Sequence, residues 1–345
     1  MIIKKMLCFS LVSLVLGYGL ICSTADAAED YVKLIGAGAS FPAPLYSKWF
    51  KDYYGLHPNV QVDYQSVGSG SGIKNFINKT VDFGASDAGM KPEEIAQVDV
   101  GVQLLPMTAG AIVLSYNMEG VPELKLSREA YAGIFLGKVT KWNDPLIAKA
   151  NPDAKLPDIP INVVVRADSS GTTFVFSQHL AAISPEFAKS PGVNMMPNWA
   201  VGTRSKGNEG ITASLRTTPG SIGYIEYGYA KGQHLPMAAL ENKAGKFVKA
   251  STPSAQASLA AVEMPSDLMA WLPDPTGDDS YPIVTYTWLL CYKRYGDANK
   301  LKALKGVIEY GLTEGQKSSE QFGYVPLPAP VVAKVKEALN NIQVK

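Results

Sequence analysis

Cysteine and histidine are scarce in this sequence: three of each in 345 residues. Cys8 and Cys22 fall within the first 27 residues, so Cys291 stands alone in the remainder and no intrachain disulfide can form there. Set in the apolar stretch Trp288-Leu289-Leu290-Cys291-Tyr292, it reads as a buried, inert thiol. His57, His179 and His234 are scattered, with no metal-ligand spacing and no evident pairing with a serine. That excludes zinc chemistry and a serine–histidine nucleophile as readable motifs. There is no metal site to predict and no cofactor.

An excess of one charge is lacking too. Lys4 and Lys5 precede an apolar run from Met6 to Ile21, and Ala25-Asp26-Ala27 forms an A-x-A cleavage pattern. This predicts a secretory signal peptide over residues 1–27, the apolar run being short for a membrane span. A lipid-modified Cys22 is disfavoured because bulky Ile21 precedes it. Removing residues 1–27 takes away two lysines and one aspartate, which leaves 30 basic and 30 acidic residues. A balanced chain gives no reason to expect a nucleic-acid surface or a polybasic membrane patch. No later segment is apolar for long enough to span a bilayer, so the mature protein is expected to be exported and periplasmic.

What is present is material for a large core: 46% hydrophobic and 18% charged residues. The length suggests two domains. Short β-type runs alternate with amphipathic helical stretches. The segments "YVKLIGAG", "VQVDYQSV", "VDFGASDAG", "GAIVLSYNM" and "INVVVRAD" predict strands. Helices are predicted in "APLYSKWFKDYYGLHP", "GIKNFINKTV", "SREAYAGIFLG", "TTFVFSQHLAAI", "ANKLKALKGVIEYGL" and "PVVAKVKEALNNI". Such alternation indicates an α/β fold.

Three places share one layout, a strand, a Gly/Ser/Thr-rich turn and a helix: "GAGASFPAP" (36–44), "SVGSGSGIKNF" (66–76) and "RADSSGTTFVF" (166–176). The first N–H groups of a helix lack intrahelical partners, and the helix dipole adds partial positive charge there. Glycine admits a ligand to the backbone and hydroxyls add donors, so such an end can receive an anion. Each serine or threonine could equally be an ordinary N-cap. Known enzyme fingerprints do not fit. "GAGASF" carries Phe41, followed by Pro42, where the dinucleotide motif needs its last glycine, and Gly70 occupies the central position of "GSGSG" where a nucleophile elbow needs serine.

Asp87, in "FGASDAG", narrows the anion. A carboxylate repels an anion unless the ligand brings a proton, because an ionised carboxylate only accepts hydrogen bonds. Phosphate is protonated at neutral pH and sulfate is not, so Asp87 would discriminate against sulfate. A turn-capping role for Asp87 is the other reading.

Taken together, "GAGASFPAPLYSKW", "VDFGASDA", "RADSSGTTFVF", "KGNEGI" and "GSIGYIEYGYA" resemble the periplasmic phosphate-binding protein of the bacterial phosphate ABC uptake system, across nearly the whole mature chain. The resemblance implies a type II periplasmic binding protein: two α/β lobes joined by a hinge, with the ligand in the cleft between them. It implies discontinuous lobes, 28–116 plus 283–345 and 117–282. It implies that inorganic phosphate is held by Ser40, Phe41 through its backbone N–H, Ser69, Asp87, Arg166, Ser170, Gly171 and Thr172, with Asp168 orienting the arginine. Its partners would be the permease subunits of an ABC transporter. Ser40 stands where the family often has threonine, and Ser71 replaces a glycine with no role assigned. A binder of another oxyanion, a secreted phosphatase and a scavenging or adhesion protein on the same fold are the alternatives.

Overall fold

The structure is a computed structural model that describes residues 31–260 and 262–345. The predicted signal peptide lies outside the described residues. Its centre is a mixed sheet of eight strands: β1 (Val32–Gly38), β2 (Val60–Ser66), β3 (Phe83–Ser86), β4 (Val102–Asn117), β5 (Asn162–Arg166), β6 (Thr203–Ser205), β7 (Ser221–Glu226) and β8 (Val284–Tyr292). Their spatial order is β2-β1-β3-β8-β4-β7-β5-β6.

β4 is the spine of this sheet. Its first part pairs antiparallel with β8, from Val102↔Tyr292 to Ala111↔Val284. Its last part pairs antiparallel with β7, from Ile112↔Glu226 to Asn117↔Ser221. The partner therefore changes between Ala111 and Ile112, and two half-sheets share one strand. β1, β2 and β3 run parallel to one another on one side, and β5, β6 and β7 run parallel on the other. Because β3 opposes β8 and β7 opposes β4, the carboxyl ends of both parallel sets point at the middle of β4. In open α/β sheets that is where ligands bind.

The predicted strands and helices are found, with two shifts. β4 begins at Val102, eight residues before the predicted "GAIVLSYNM". The early part contains Pro106, which argues against a central strand. The register with β8 slips next to it, between Thr287 and Trp288, so the proline falls at a bulge. The helix predicted from Gly72 starts three residues earlier, at Ser69, and ends at Ile77.

Helices cover the sheet and bury its apolar faces. α1 (Ala43–Leu56) places Leu45, Trp49, Phe50 and Tyr53 inward at the predicted spacing of three and four. α2 (Ser69–Ile77) buries Ile73 and Phe76. α3 (Gly171–Ile183) and α4 (Gly207–Thr217) flank the second half-sheet. Cys291 is buried and free in β8, and burial pushes its thiol up to about 12, as expected of an inert thiol. His57 and His234 are exposed. His179 is buried between the Tyr131 hydroxyl and the Pro273 carbonyl. Among the described residues no helix is long and apolar enough to cross a membrane, and no cluster of three or more His, Cys, Asp or Glu could hold a metal ion.

Candidate anion site

Every predicted site residue lies at a carboxyl end of a parallel strand. Ser40 and Phe41 follow β1 and lead into α1. Ser69 follows β2 and opens α2, and Asp87 directly follows β3. Arg166 is the last residue of β5, and Ser170, Gly171 and Thr172 cap and open α3. Ser40, Ser69, Asp87, Arg166, Ser170 and Thr172 are all buried, none more than 2% exposed. Burying so many polar groups together is costly unless they satisfy one another or a ligand.

The ordinary-cap reading holds for one of the three turns. Ser170 accepts the Thr173 N–H at 3.0 Å and is the N-cap of α3. α1 and α2 have Pro42 and Gly68 at their N-caps, with no side-chain cap bond. Ser40 and Ser69 are thus free for other work, and both use it across the two half-sheets. The Ser69 hydroxyl oxygen accepts the Gly171 N–H at 3.1 Å and the Asp87 N–H at 3.3 Å. The Ser40 hydroxyl oxygen accepts the Asn208 backbone N–H at 3.1 Å and its side-chain amide at 2.9 Å.

The opposed turns approach closely. The Gly70 N–H donates to the Ser169 carbonyl at 2.9 Å. Gly68 has φ +92, and a methyl there would lie 2.4 Å from Asp168 Oδ2. A methyl on Gly171 would lie 2.4 Å from Ser69 Oγ and 2.7 Å from Asp87 Oδ2. Only glycine fits either position. Ser71, one residue past this contact, faces solvent and adds nothing to the site.

Arg166 supplies the charge. Its Nε and Nη2 donate to the two oxygens of Asp168 at 2.8 and 2.6 Å, a fork-to-fork pair that fixes the guanidinium plane. Its Nη1 is buried and has no partner among the described residues. Asp168 also accepts the Gly207 N–H at 3.0 Å. Burial alone would raise the Asp168 carboxyl, but the hydrogen-bonded guanidinium outweighs it and holds it below its ordinary value.

Asp87 is not a turn cap. The turn is shaped by Ser86, whose hydroxyl accepts the Ala88 N–H and donates to the Gly89 carbonyl. The Asp87 carboxylate instead accepts the Thr287 hydroxyl at 2.7 Å. Burial raises its pKa from 3.8 to about 7, against the opposing pull of Thr287, Arg166 and Thr172. The carboxyl therefore holds a proton far more readily than an exposed aspartate does.

Four further residues shape the site. Thr287 lies in β8, a fully buried strand that is not among those predicted from the sequence. Tyr324 and Tyr229 donate to the carbonyls of Phe41 and Ser40 at 2.6 and 2.7 Å, pinning the turn before α1. Asn208 lies in "KGNEGI", a stretch that carried the family resemblance but no assigned role. The arrangement as a whole has the chemistry to receive a buried anion: a fixed guanidinium, hydroxyls and helix starts from both half-sheets, and one protonatable acceptor.

Comparison with known proteins places the chain in a class. The family model of the PBP superfamily domain matches residues 23–314, and the fold is that of a type II periplasmic-binding-protein chain. A phosphate-binding protein PstS of Pasteurella multocida is 41% identical over 320 residues, covering 91% of this chain and 92% of that protein. PstS of Methanocaldococcus jannaschii is 40% identical over 337 residues, covering 89% and 85%. This chain belongs to the PstS family of phosphate-binding proteins, a family of binding proteins and not of enzymes. Solved structures agree on the fold. A phosphate-binding protein from Stenotrophomonas maltophilia superposes with TM-score 0.73 at 20% identity, covering 89% of this chain and 93% of that one. A phosphate ABC transporter substrate-binding protein from Clostridium perfringens, solved with bound phosphate, gives 0.64 at 18% identity, covering 86% and 100%.

Proposed function

We propose that this protein binds inorganic phosphate between its two half-sheets and delivers it to the permease of an ABC importer after export to the periplasm. The ligand contacts proposed for it are Arg166, Asp87, Gly171, the hydroxyls of Ser40, Ser69, Ser170 and Thr172, and the backbone N–H of Phe41. Asp168 orients Arg166. The observation that carries the reading is the buried Arg166 guanidinium, locked by Asp168 with its Nη1 unpartnered among the described residues. An arginine presented in this way is built to meet an oxyanion.

Asp87 supports phosphate over sulfate. Two facing oxyanions need a proton between them, and the raised pKa of Asp87 reports how strongly this position favours one. Phosphate brings its own proton. Sulfate requires the protein to take one up, or else leaves two acceptors facing each other.

The movement proposed is hinge closure. The lobes are 28–116 plus 283–345 and 117–282. The chain changes half-sheet along β4, between Ala111 and Ile112 and so a few residues before the proposed bound at 116, and returns just before β8; these two crossings are the proposed hinge. Ligand bridging the opposed turns favours the closed form that a permease recognises. Retention of radiolabelled phosphate with unlabelled sulfate as competitor, together with a turnover assay on p-nitrophenyl phosphate, tests the proposal. Retained phosphate, weak competition and no turnover support it; equal displacement by sulfate or measurable hydrolysis overturns it.

A further inference from the structure

Asn208 is fully buried near the start of α4 and touches three elements at once. Its Oδ1 accepts the Glu226 N–H at 3.0 Å, at the end of β7. Its Nδ2 donates to Ser40 Oγ at 2.9 Å and to Thr172 Oγ1 at 3.2 Å. Its backbone N–H donates to Ser40 Oγ at 3.1 Å. The amide orientation is forced. A backbone N–H can only donate, so the atom facing Glu226 must be the oxygen, and the NH2 group must face the two hydroxyls.

For Ser40 the result is a fixed polarity. A hydroxyl oxygen has two lone pairs and one proton. Asn208 fills both lone pairs, so Ser40 can only donate. A hydroxyl that could otherwise rotate to suit any ligand atom becomes an obligate O–H donor. Thr172 receives one bond from the same amide and is among the groups that pull the Asp87 carboxyl down. The preceding residue, Gly207, holds Asp168 and through it Arg166. One dipeptide thus fixes the polarity of a hydroxyl on the first half-sheet and the orientation of the guanidinium on the second.

We infer that Asn208 is a specificity-determining positioning residue, which makes Ser40 an obligate donor and so reserves that end of the site for an unprotonated ligand oxygen. The inference rests on the phosphate reading above. With Ser40 fixed as a donor and Asp87 ionised as an acceptor, the ligand has one orientation: bare oxygen at Ser40, protonated oxygen at Asp87. Asn208→Asp keeps the shape and reverses the effect, because a carboxylate accepts the Ser40 proton and turns it away from the ligand.

The test is phosphate calorimetry on the wild type, Asn208→Asp, Asn208→Ala, Ser40→Ala and the Asn208→Ala/Ser40→Ala double variant, with thermal unfolding of each ligand-free protein. Asn208→Asp is expected to weaken phosphate about 30-fold or more, and each alanine variant about 10-fold. The double variant should be no weaker than about 10-fold, because both changes remove the same donor. Additive losses, near ~100-fold, would reduce Asn208 to scaffolding and overturn the inference, as would wild-type affinity in Asn208→Asp. Should Asn208→Asp fail to fold, the alanine cycle decides alone. A wild type that ignores phosphate contradicts the functional proposal itself, which is a different outcome from any of these.

Discussion

Replacing Asp87 with asparagine keeps the shape of the side chain and removes its titration. The effect on the ligand-free protein follows from the environment of the carboxyl. Asp87 is buried, and its pKa is raised from 3.8 to about 7. A carboxyl raised in the folded state binds its proton more tightly there than in the unfolded chain. Its contribution to stability is therefore full below about pH 4 and is lost as the pH rises through about 7. The gap corresponds to about 4 kcal/mol at about 1.4 kcal/mol per pH unit, of which about 2–3 kcal/mol falls between pH 5 and pH 8. The asparagine variant has no such dependence. Urea unfolding of phosphate-free wild type and Asp87→Asn at pH 5, 6, 7 and 8 measures the difference. The variant should gain steadily on the wild type with rising pH, by about 2–3 kcal/mol across this range. Parallel stability curves would show that Asp87 is solvated in the free protein and would refute the reasoning from its burial.

Three other outcomes follow from the geometry. Arg166→Ala should weaken phosphate binding by about 1.5–3 kcal/mol, the scale of a charge-assisted hydrogen bond, and Asp168→Asn by less, because it only loosens the arginine; wild-type binding by Arg166→Ala in a calorimetric titration would place the guanidinium outside the site. Gly171→Ala puts a methyl 2.4 Å from Ser69 Oγ, so the half-sheets cannot close fully, and phosphate affinity should fall at least about 10-fold; unchanged affinity would mean that closure does not bring these turns together. Sulfate binding by the wild type should strengthen about 20-fold from pH 8.5 to pH 6.5, as Asp87 takes up the proton that sulfate lacks, and a pH-independent sulfate affinity would remove Asp87 from the discrimination.

The parts of the site legible in the sequence were those written locally. A β-type run, a turn of glycine and hydroxyl residues and an apolar helix stand side by side in each of three short segments, and the structure places all three turns around one point. Asp87 stood out because an acid is anomalous beside anion-binding turns. The residues that escaped notice act over long sequence distances. Asn208 reaches Ser40 across 168 residues and Thr287 reaches Asp87 across 200, and locally one looks like a helix-start asparagine and the other like a strand residue. The first part of β4 was hidden by Pro106, which only a bulge in the opposing register makes tolerable. Which strand would form the spine of the sheet was not readable, because nothing in a single strand's pattern says that it changes partners midway.

The most direct measurement is a calorimetric titration of the chain lacking residues 1–27 with phosphate and with sulfate, at one pH and one ionic strength. The account predicts tight phosphate binding and sulfate weaker by at least about 100-fold, a gap of about 2.7 kcal/mol. Equal affinity for the two anions, or no heat with phosphate, would contradict it.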